Sequence, residues 1–210
     1  MLEDVDIFKI LKEGSKAIGK RTVLVKKFEM KETLPCFTTR GYIRFAAQAD
    51  KELGEVIPVI SLKFPPGRKN YLIKDNILTL QLLNRTITFF PSGRIAVTNT
   101  RDKEEAKEIL QRIADIINEA YRDYLKHGKP SIKEIEASTK LDWMDIYDCL
   151  PKTNCGKCGF QTCSAFSTSL LQGEIQLAKC TTLKEEEFTQ NLEKLKERIG
   201  GLMLKSLGWK

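Results

Sequence analysis

RTITFFPSGRIAVTNTRDKEEAKEIL, from Arg85 to Leu110, decides the fold of the front of this chain. Two runs rich in β-branched and aromatic residues, Arg85 to Phe90 and Arg94 to Asn99, flank Pro91-Ser92-Gly93. Proline presets φ at one turn position and glycine accepts positive φ, so the triplet predicts the turn of a hairpin. The apolar period then changes from two to 3.6. Ala106, Ile109, Leu110, Ile113, Ile116, Ile117, Ala120, Tyr121 and Tyr124 predict a long amphipathic helix from Asp102 to Leu125. Asp102 and Glu105 put negative charge at its start, where the helix dipole favours it.

Upstream of that stretch, Asn70 to Lys74 and Ile77 to Leu83 predict a hairpin around Asp75-Asn76. Val56 to Phe64 reads as an extended segment stopped by Pro65-Pro66-Gly67. Arg40 to Leu53 has helical spacing through Ile43, Ala46, Ala47, Ala49 and Leu53, with Gly54 as its stop. Thr22 to Met30 reads as a strand with Lys26 and Lys27 exposed, and Asp4 to Ile18 as a short amphipathic helix. The order predicts an α+β class: an antiparallel sheet with helices on one face. The stretch from Phe89 to Leu110 resembles the half-repeat of the TATA-binding-protein fold, where a strand–Ser-Gly–strand hairpin also precedes a long helix. That resemblance is topological and spans about Arg21 to Tyr124. The sequence holds no second copy from which a saddle could form.

Downstream, His127-Gly128-Lys129-Pro130-Ser131 has the composition of a linker. Ile132 to Thr139 reads as a short helix or a tether. Leu141 to Leu150 reads as a helix stopped by Pro151, and about Thr162 to Gln172 as a helix ended by Gly173. A terminal helix is expected from Thr182. Thr182 and Glu185 would form its capping box, and Phe188, Leu192, Leu195 and Ile199 its buried stripe. The expected organisation is an α+β binding or docking domain over 1–126, a linker over 127–140, and a small, mostly helical domain over 141–210.

The 210 residues are 41% hydrophobic and 30% charged, an ordinary globular composition. No apolar run approaches the roughly 18 residues of a membrane span. The start, MLEDVDIF, is acidic and lacks the features of a signal peptide, so the cytoplasm is the expected location and no membrane contact is expected. The net charge of +7 is uneven: residues 1–126 hold 23 Lys+Arg against 17 Asp+Glu, and residues 127–210 hold 12 against 11. A front half at +6 suits nucleic acid, an acidic partner protein or an anionic ligand; it also serves solubility alone.

Four of the six cysteines cluster. NCGKCGFQTC, Asn154 to Cys163, holds three, and Cys180 completes Cys155-x2-Cys158-x4-Cys163-x16-Cys180. A secreted disulfide scaffold does not fit this usage; in a reducing compartment such clustering reads as metal ligation. Cysteines two residues apart can present both sulfurs to one centre, and Gly156 and Gly159 let the chain curl around it. Cys163 would start the following helix, where the dipole favours a thiolate. A [4Fe–4S] cluster takes four thiolates, often three close together and one remote. Tetrahedral zinc more often pairs two short knuckles, and the single histidine, His127, lies outside the pattern. Zinc, a disulfide and free thiols stay open on spacing alone.

MDIYDCLPKTNCGKCGFQTCSAFSTSLLQGEIQLAKCTTL, Met144 to Leu183, resembles the small iron–sulfur domain of the large subunit of the corrinoid iron–sulfur protein of the acetyl-CoA pathway. A related domain occurs in the B subunit of the Rnf-type electron-transport complex. The shared string runs through Leu-Pro-Lys-Thr-Asn-Cys-Gly-x-Cys-Gly-Phe, then Cys-x-Ala-Phe, a glycine and a last cysteine. The resemblance implies one [4Fe–4S] cluster on Cys155, Cys158, Cys163 and Cys180. Thr181 departs from it, standing where that family has proline. The barrel and cobalamin parts of that family have no counterpart in this chain, so corrinoid binding and methyl transfer are not implied.

The remaining candidates read as structural. Cys36 and Cys149 are expected to be small buried residues. His127 is expected to be solvated, and Trp143 and Tyr147 to pack near the cluster helix. Phe89 and Phe90 point to opposite faces of one strand, so the two cannot both join Tyr42 in stacking on bases. Pro65-Pro66-Gly67-Arg68-Lys69 with Lys26-Lys27 could contact phosphates, but no glycine-rich phosphate loop occurs. No catalytic constellation can be built, so an electron carrier with a protein redox partner is expected rather than an enzyme. The alternative is an iron–sulfur sensor that uses the basic front half on nucleic acid.

Overall fold

The structure, a computed structural model, describes residues 22–82 and 84–209. The helix expected at Asp4 to Ile18 lies outside them. The described chain forms two compact units, one of residues 22–61 and 69–130, the other of residues 62–68 and 131–209.

Among the described residues of the first unit, six strands make one sheet: β1 (Phe28–Pro35), β2 (Ile43–Ala49), β3 (Lys69–Leu72), β4 (Ile77–Leu82), β5 (Arg85–Phe89) and β6 (Arg94–Thr100). Their order is β1-β2-β6-β5-β4-β3, and every neighbouring pair is antiparallel. The hairpin expected around Pro91-Ser92-Gly93 is β5–β6, with Phe89 opposite Ile95. Gly93 N–H donates to the Phe90 carbonyl at 3.0 Å, and Phe90 N–H to the Arg94 carbonyl at 3.0 Å. One face carries Leu78, Leu80, Ile87, Phe89, Ile95 and Val97, all buried; on the other, the Thr79 and Thr88 hydroxyls meet at 3.2 Å. The long helix runs Lys103–His127, designated α2 because a short helix, α1 (Ile57–Leu62), precedes it. Asp102 caps α2 by accepting from Glu105 N–H, and Gly128 ends it at φ 77°. The predicted apolar stripe is buried from Ala106 to Ala120, with Tyr121 and Tyr124 half-buried at its margin.

Three expectations for this unit fail, each for a physical reason. Arg40 to Leu53 is not a helix: its middle is β2. The alanines fit a 3.6 period, but Ala46 and Ala47 sit opposite Ala96 and Ile95 of β6 on one side and β1 on the other. Two ladders of backbone hydrogen bonds outweigh alanine's small helix preference. Val56 to Phe64 is not extended: it contains α1. Val56, Ile57, Val59, Ile60 and Leu62 are all buried, and the one polar residue of α1, Ser61, is buried with them, so no exposed polar face betrays the period.

Thr22 to Met30 is not one strand either, since β1 begins at Phe28. The backbone before it is paired by a side chain instead. Asn118 on α2 accepts from Leu24 and Val25 N–H at 2.8 and 2.9 Å, and donates to the Val25 carbonyl at 2.9 Å. One amide thus does the work of a neighbouring strand. Asn118→Ala strands these groups and is expected to cost about 1–3 kcal/mol of stability, read as a lowered urea midpoint at unchanged slope. A midpoint within error of wild type would show that water replaces the amide at no cost.

The second unit holds α3 (Ile132–Lys140), α4 (Trp143–Tyr147), α5 (Cys163–Leu171) and α6 (Thr189–Ser206), with 3₁₀ turns at Leu177–Lys179, Thr181–Lys184 and Glu186–Phe188. Residues 132–139, read as helix or tether, are helical, with a capping box between Ser131 and Glu134. Ile146, Leu150, Phe166, Leu170, Leu177 and Leu195 anchor the core. The terminal helix does not begin at Thr182 but at Thr189. The expected cap residues are engaged elsewhere: the Thr182 hydroxyl faces Cys155, and Glu185 pairs with Lys157 at 3.0 Å. Of the predicted stripe, Leu195 is buried and Phe188, Leu192 and Ile199 are half-buried.

Candidate metal centre

The loop that carries the first cysteines is built by residues in left-handed conformation. Lys152, Asn154, Gly156 and Gly159 have φ of 57°, 49°, 71° and 91°. Glycine takes these angles freely and asparagine at small cost, so the segment winds back on itself within a few residues. Gly159 N–H donates to the Gly156 carbonyl at 2.9 Å and closes the turn. The Asn154 side chain accepts from Cys163 N–H at 2.8 Å, tying the loop to the start of α5. Thr162 caps that helix through Ala165 N–H, and Cys163 is its first residue. Cys180 follows the 3₁₀ turn at Leu177–Lys179, with its N–H on the Leu177 carbonyl at 3.0 Å.

These elements bring Cys155, Cys158, Cys163 and Cys180 to the wall of one hollow, which Pro151, Phe160, Phe166 and Thr182 help to line. Phe160 and Phe166 meet edge to face, 5.8 Å between ring centres, so the wall behind the sulfurs is apolar and stiff. All four thiols are unbridged. Cys163 and Cys180 are buried, Cys158 is half-buried and Cys155 is exposed. Hydrogen bonds hold the Cys155 thiol down at about 7, first from the Thr182 hydroxyl, then from the Lys157 amide and the Thr153 hydroxyl. Burial pushes the Cys180 thiol up. Among the described residues, no three Cys, His, Asp or Glu side chains gather as tightly as one bound ion would draw them. Four soft sulfur donors ringing an apolar-backed hollow fit an iron–sulfur group by their chemistry.

The other candidates stand apart. Cys149 is fully buried, as expected, and burial raises its thiol; Arg198 hydrogen-bonds to it while pairing with Asp145. Cys36 is not a buried apolar residue. It sits half-exposed between β1 and β2, its sulfur 3.3 Å from the Thr38 hydroxyl, and that bond with nearby amides lowers the thiol to about 7. His127 is exposed at the end of α2. Trp143 and Tyr147 pack against each other at 6.2 Å. Phe89 is fully buried and Phe90 half-buried, with Arg94 over its ring at 5.8 Å. The Pro65-Pro66-Gly67 loop is no phosphate clamp: Arg68 donates to the Gln172 carbonyl at 2.8 Å, and Lys69 to the Ser61 carbonyl at 2.6 Å. Sequence reading missed Thr182 because Thr-x-x-Glu before an apolar run is also the signature of a helix cap. It missed Asn154 because nothing in the sequence distinguishes a left-handed asparagine from a turn residue.

Residues 150–182 match the family described as "Putative Fe-S cluster". The chain is similar to the acetyl-CoA decarbonylase/synthase complex subunit gamma of Methanocaldococcus jannaschii, 47% identical over 60 residues, which cover 29% of this chain and 12% of that protein. The subunit of the same name from Methanothermobacter thermautotrophicus is 50% identical over 52 residues, 25% of this chain and 11% of that one. A Methanocaldococcus jannaschii protein described as uncharacterized is 40% identical over 63 residues, 30% of this chain and 28% of that one. The chain thus spans about an eighth of the length of the gamma subunits it matches. No solved structure matches it. The similarity to an iron–sulfur family is thus carried by the segment around the cysteines.

Proposed function

We propose that the protein carries one [4Fe–4S] cluster on Cys155, Cys158, Cys163 and Cys180 and exchanges single electrons with a protein partner in anaerobic one-carbon metabolism. The observation that carries this reading is the convergence of four unbridged cysteines on one hollow, within a segment that matches an iron–sulfur family. A zinc ion would have to draw all four sulfurs to about 2.3 Å from a single point. A cube gives each sulfur its own iron. When bound, the cluster takes up and returns one electron. The chain's part is to hold the sulfurs, to aim the Lys157 amide at Cys155, and to keep water from Cys163 and Cys180. Cys155, the exposed sulfur, marks the side open to a partner.

The metabolic setting rests on the names of the relatives, multi-subunit acetyl-CoA decarbonylase/synthase gamma chains, and on the segment shared with them. Residues 1–126 would then be the docking part. Among the described residues, no helix is long and apolar enough to cross a membrane. The test is a potentiometric titration of anaerobically purified protein, followed by visible absorbance. One reversible one-electron transition is expected. A two-electron transition would identify dithiol–disulfide chemistry instead and overturn the reading.

A second reading, nucleic-acid binding by the first unit, rests on the net +6 of residues 1–126. It requires binding to generic DNA that weakens steeply with salt. Absence of binding at low salt removes it.

A further inference from the structure

We infer that Thr182 is a positioning and tuning residue of the cluster, its hydroxyl donating a hydrogen bond to the sulfur of Cys155. This rests on the reading that Cys155 is a cluster ligand. Thr182 is 5% exposed, and its Oγ1 lies 3.3 Å from Cys155 Sγ, across 27 residues of sequence. A ligand thiolate has no proton to give, so the direction of the bond is fixed: the hydroxyl donates and the sulfur accepts. The backbone is already occupied, since the Thr182 carbonyl accepts from Glu185 N–H at 3.1 Å. The threonine is therefore held by its own 3₁₀ turn, Thr181–Lys184, with the hydroxyl aimed across the hollow.

Two consequences follow from that placement. Cys155 is the most exposed residue of the four, the one nearest to water and to a partner's approach. A buried hydroxyl on it supplies a fixed donor in place of a mobile one. The bond also favours the reduced state. Four thiolates leave the oxidised cluster at charge −2, and one added electron brings it to −3. The more negative sulfur accepts the hydrogen bond more strongly, so the hydroxyl raises the midpoint potential.

The experiment compares wild type, Thr182→Val and Thr182→Ser, each purified without oxygen. Iron content, midpoint potential and the rate of iron loss to a chelator are measured. Valine keeps the volume and removes the donor; serine keeps the donor. Thr182→Val is expected to favour oxidation by roughly tenfold at fixed potential, a downward shift of about 59 mV for one electron, and to lose iron faster. Thr182→Ser is expected to stay near wild type on both counts. The inference fails if valine matches wild type, or if serine and valine depart alike, which would make the residue a matter of packing. If valine cannot hold iron while serine can, the dependence on the hydroxyl still stands. Wild-type protein without iron would overturn the cluster reading itself, and this inference with it. That result is distinct from an iron-loaded wild type whose potential ignores the valine.

Discussion

Cys163→Ala protein, purified without oxygen, is expected to hold less than about a tenth of the wild-type iron. Changing a residue that only supports a metal ligand costs about 10–100-fold in affinity, and losing a ligand costs more. Cys163 is the sharpest choice of the four. It is buried at the first residue of α5, and its backbone is fixed by the Asn154 side chain. The matched control is Cys149→Ala. That thiol is fully buried too and lies only six residues before Cys155, but Arg198 contacts it and it does not line the hollow. Full iron content is expected in the control. Equal loss from both variants would mean that iron retention follows general folding of the unit rather than ligation.

The second large effect is on stability. Gly93→Ala is expected to cost about 3 kcal/mol or more. Gly93 has φ 86°, which an L residue adopts at a cost of about 1–2 kcal/mol. An added Cβ would also stand 2.4 Å from the Lys51 carbonyl oxygen and 2.9 Å from the Gln48 amide nitrogen. Lys51 cannot easily retreat, because the turn is fastened to this end of β2: Ala49 N–H donates to the Gly93 carbonyl at 2.9 Å, and Gln48 Nε2 to the Ser92 carbonyl at 2.8 Å. Gly41→Ala separates the two causes. Gly41 has φ 83°, with no other atom within 4 Å of an added Cβ, so only the conformational cost of about 1 kcal/mol is expected. Urea unfolding of both variants gives the comparison. Equal losses would show that the close approach to Lys51 relaxes without cost.

The sequence was most legible where one physical signal had no competitor. Pro91-Ser92-Gly93 between β-branched runs, followed by a 25-residue helix with a clean stripe, reads correctly from local pattern alone. The cysteine spacing drew attention to the segment that also matches an iron–sulfur family, because few chemistries use four thiols so close together. Legibility failed where tertiary context overrode the local pattern. The alanines of β2 carry a helical period, but the sheet on both sides sets their conformation. The residues of α1 look extended because its one polar side chain, Ser61, is buried with the rest, leaving no exposed polar face to mark a helix. Thr22 to Lys27 has strand composition but finds its hydrogen bonds in Asn118, nearly a hundred residues away, which no local window contains. The same holds at the cysteines. Thr182 reads as a cap from its neighbours and meets Cys155 only through the fold.

The direct test of the centre is composition joined to spectroscopy on one anaerobic sample: iron, acid-labile sulfide and zinc per chain, then EPR after reduction. About four iron and four sulfide per chain are expected, with a signal of a single unpaired electron that grows in on reduction. One zinc per chain, no sulfide and no EPR signal would contradict the account.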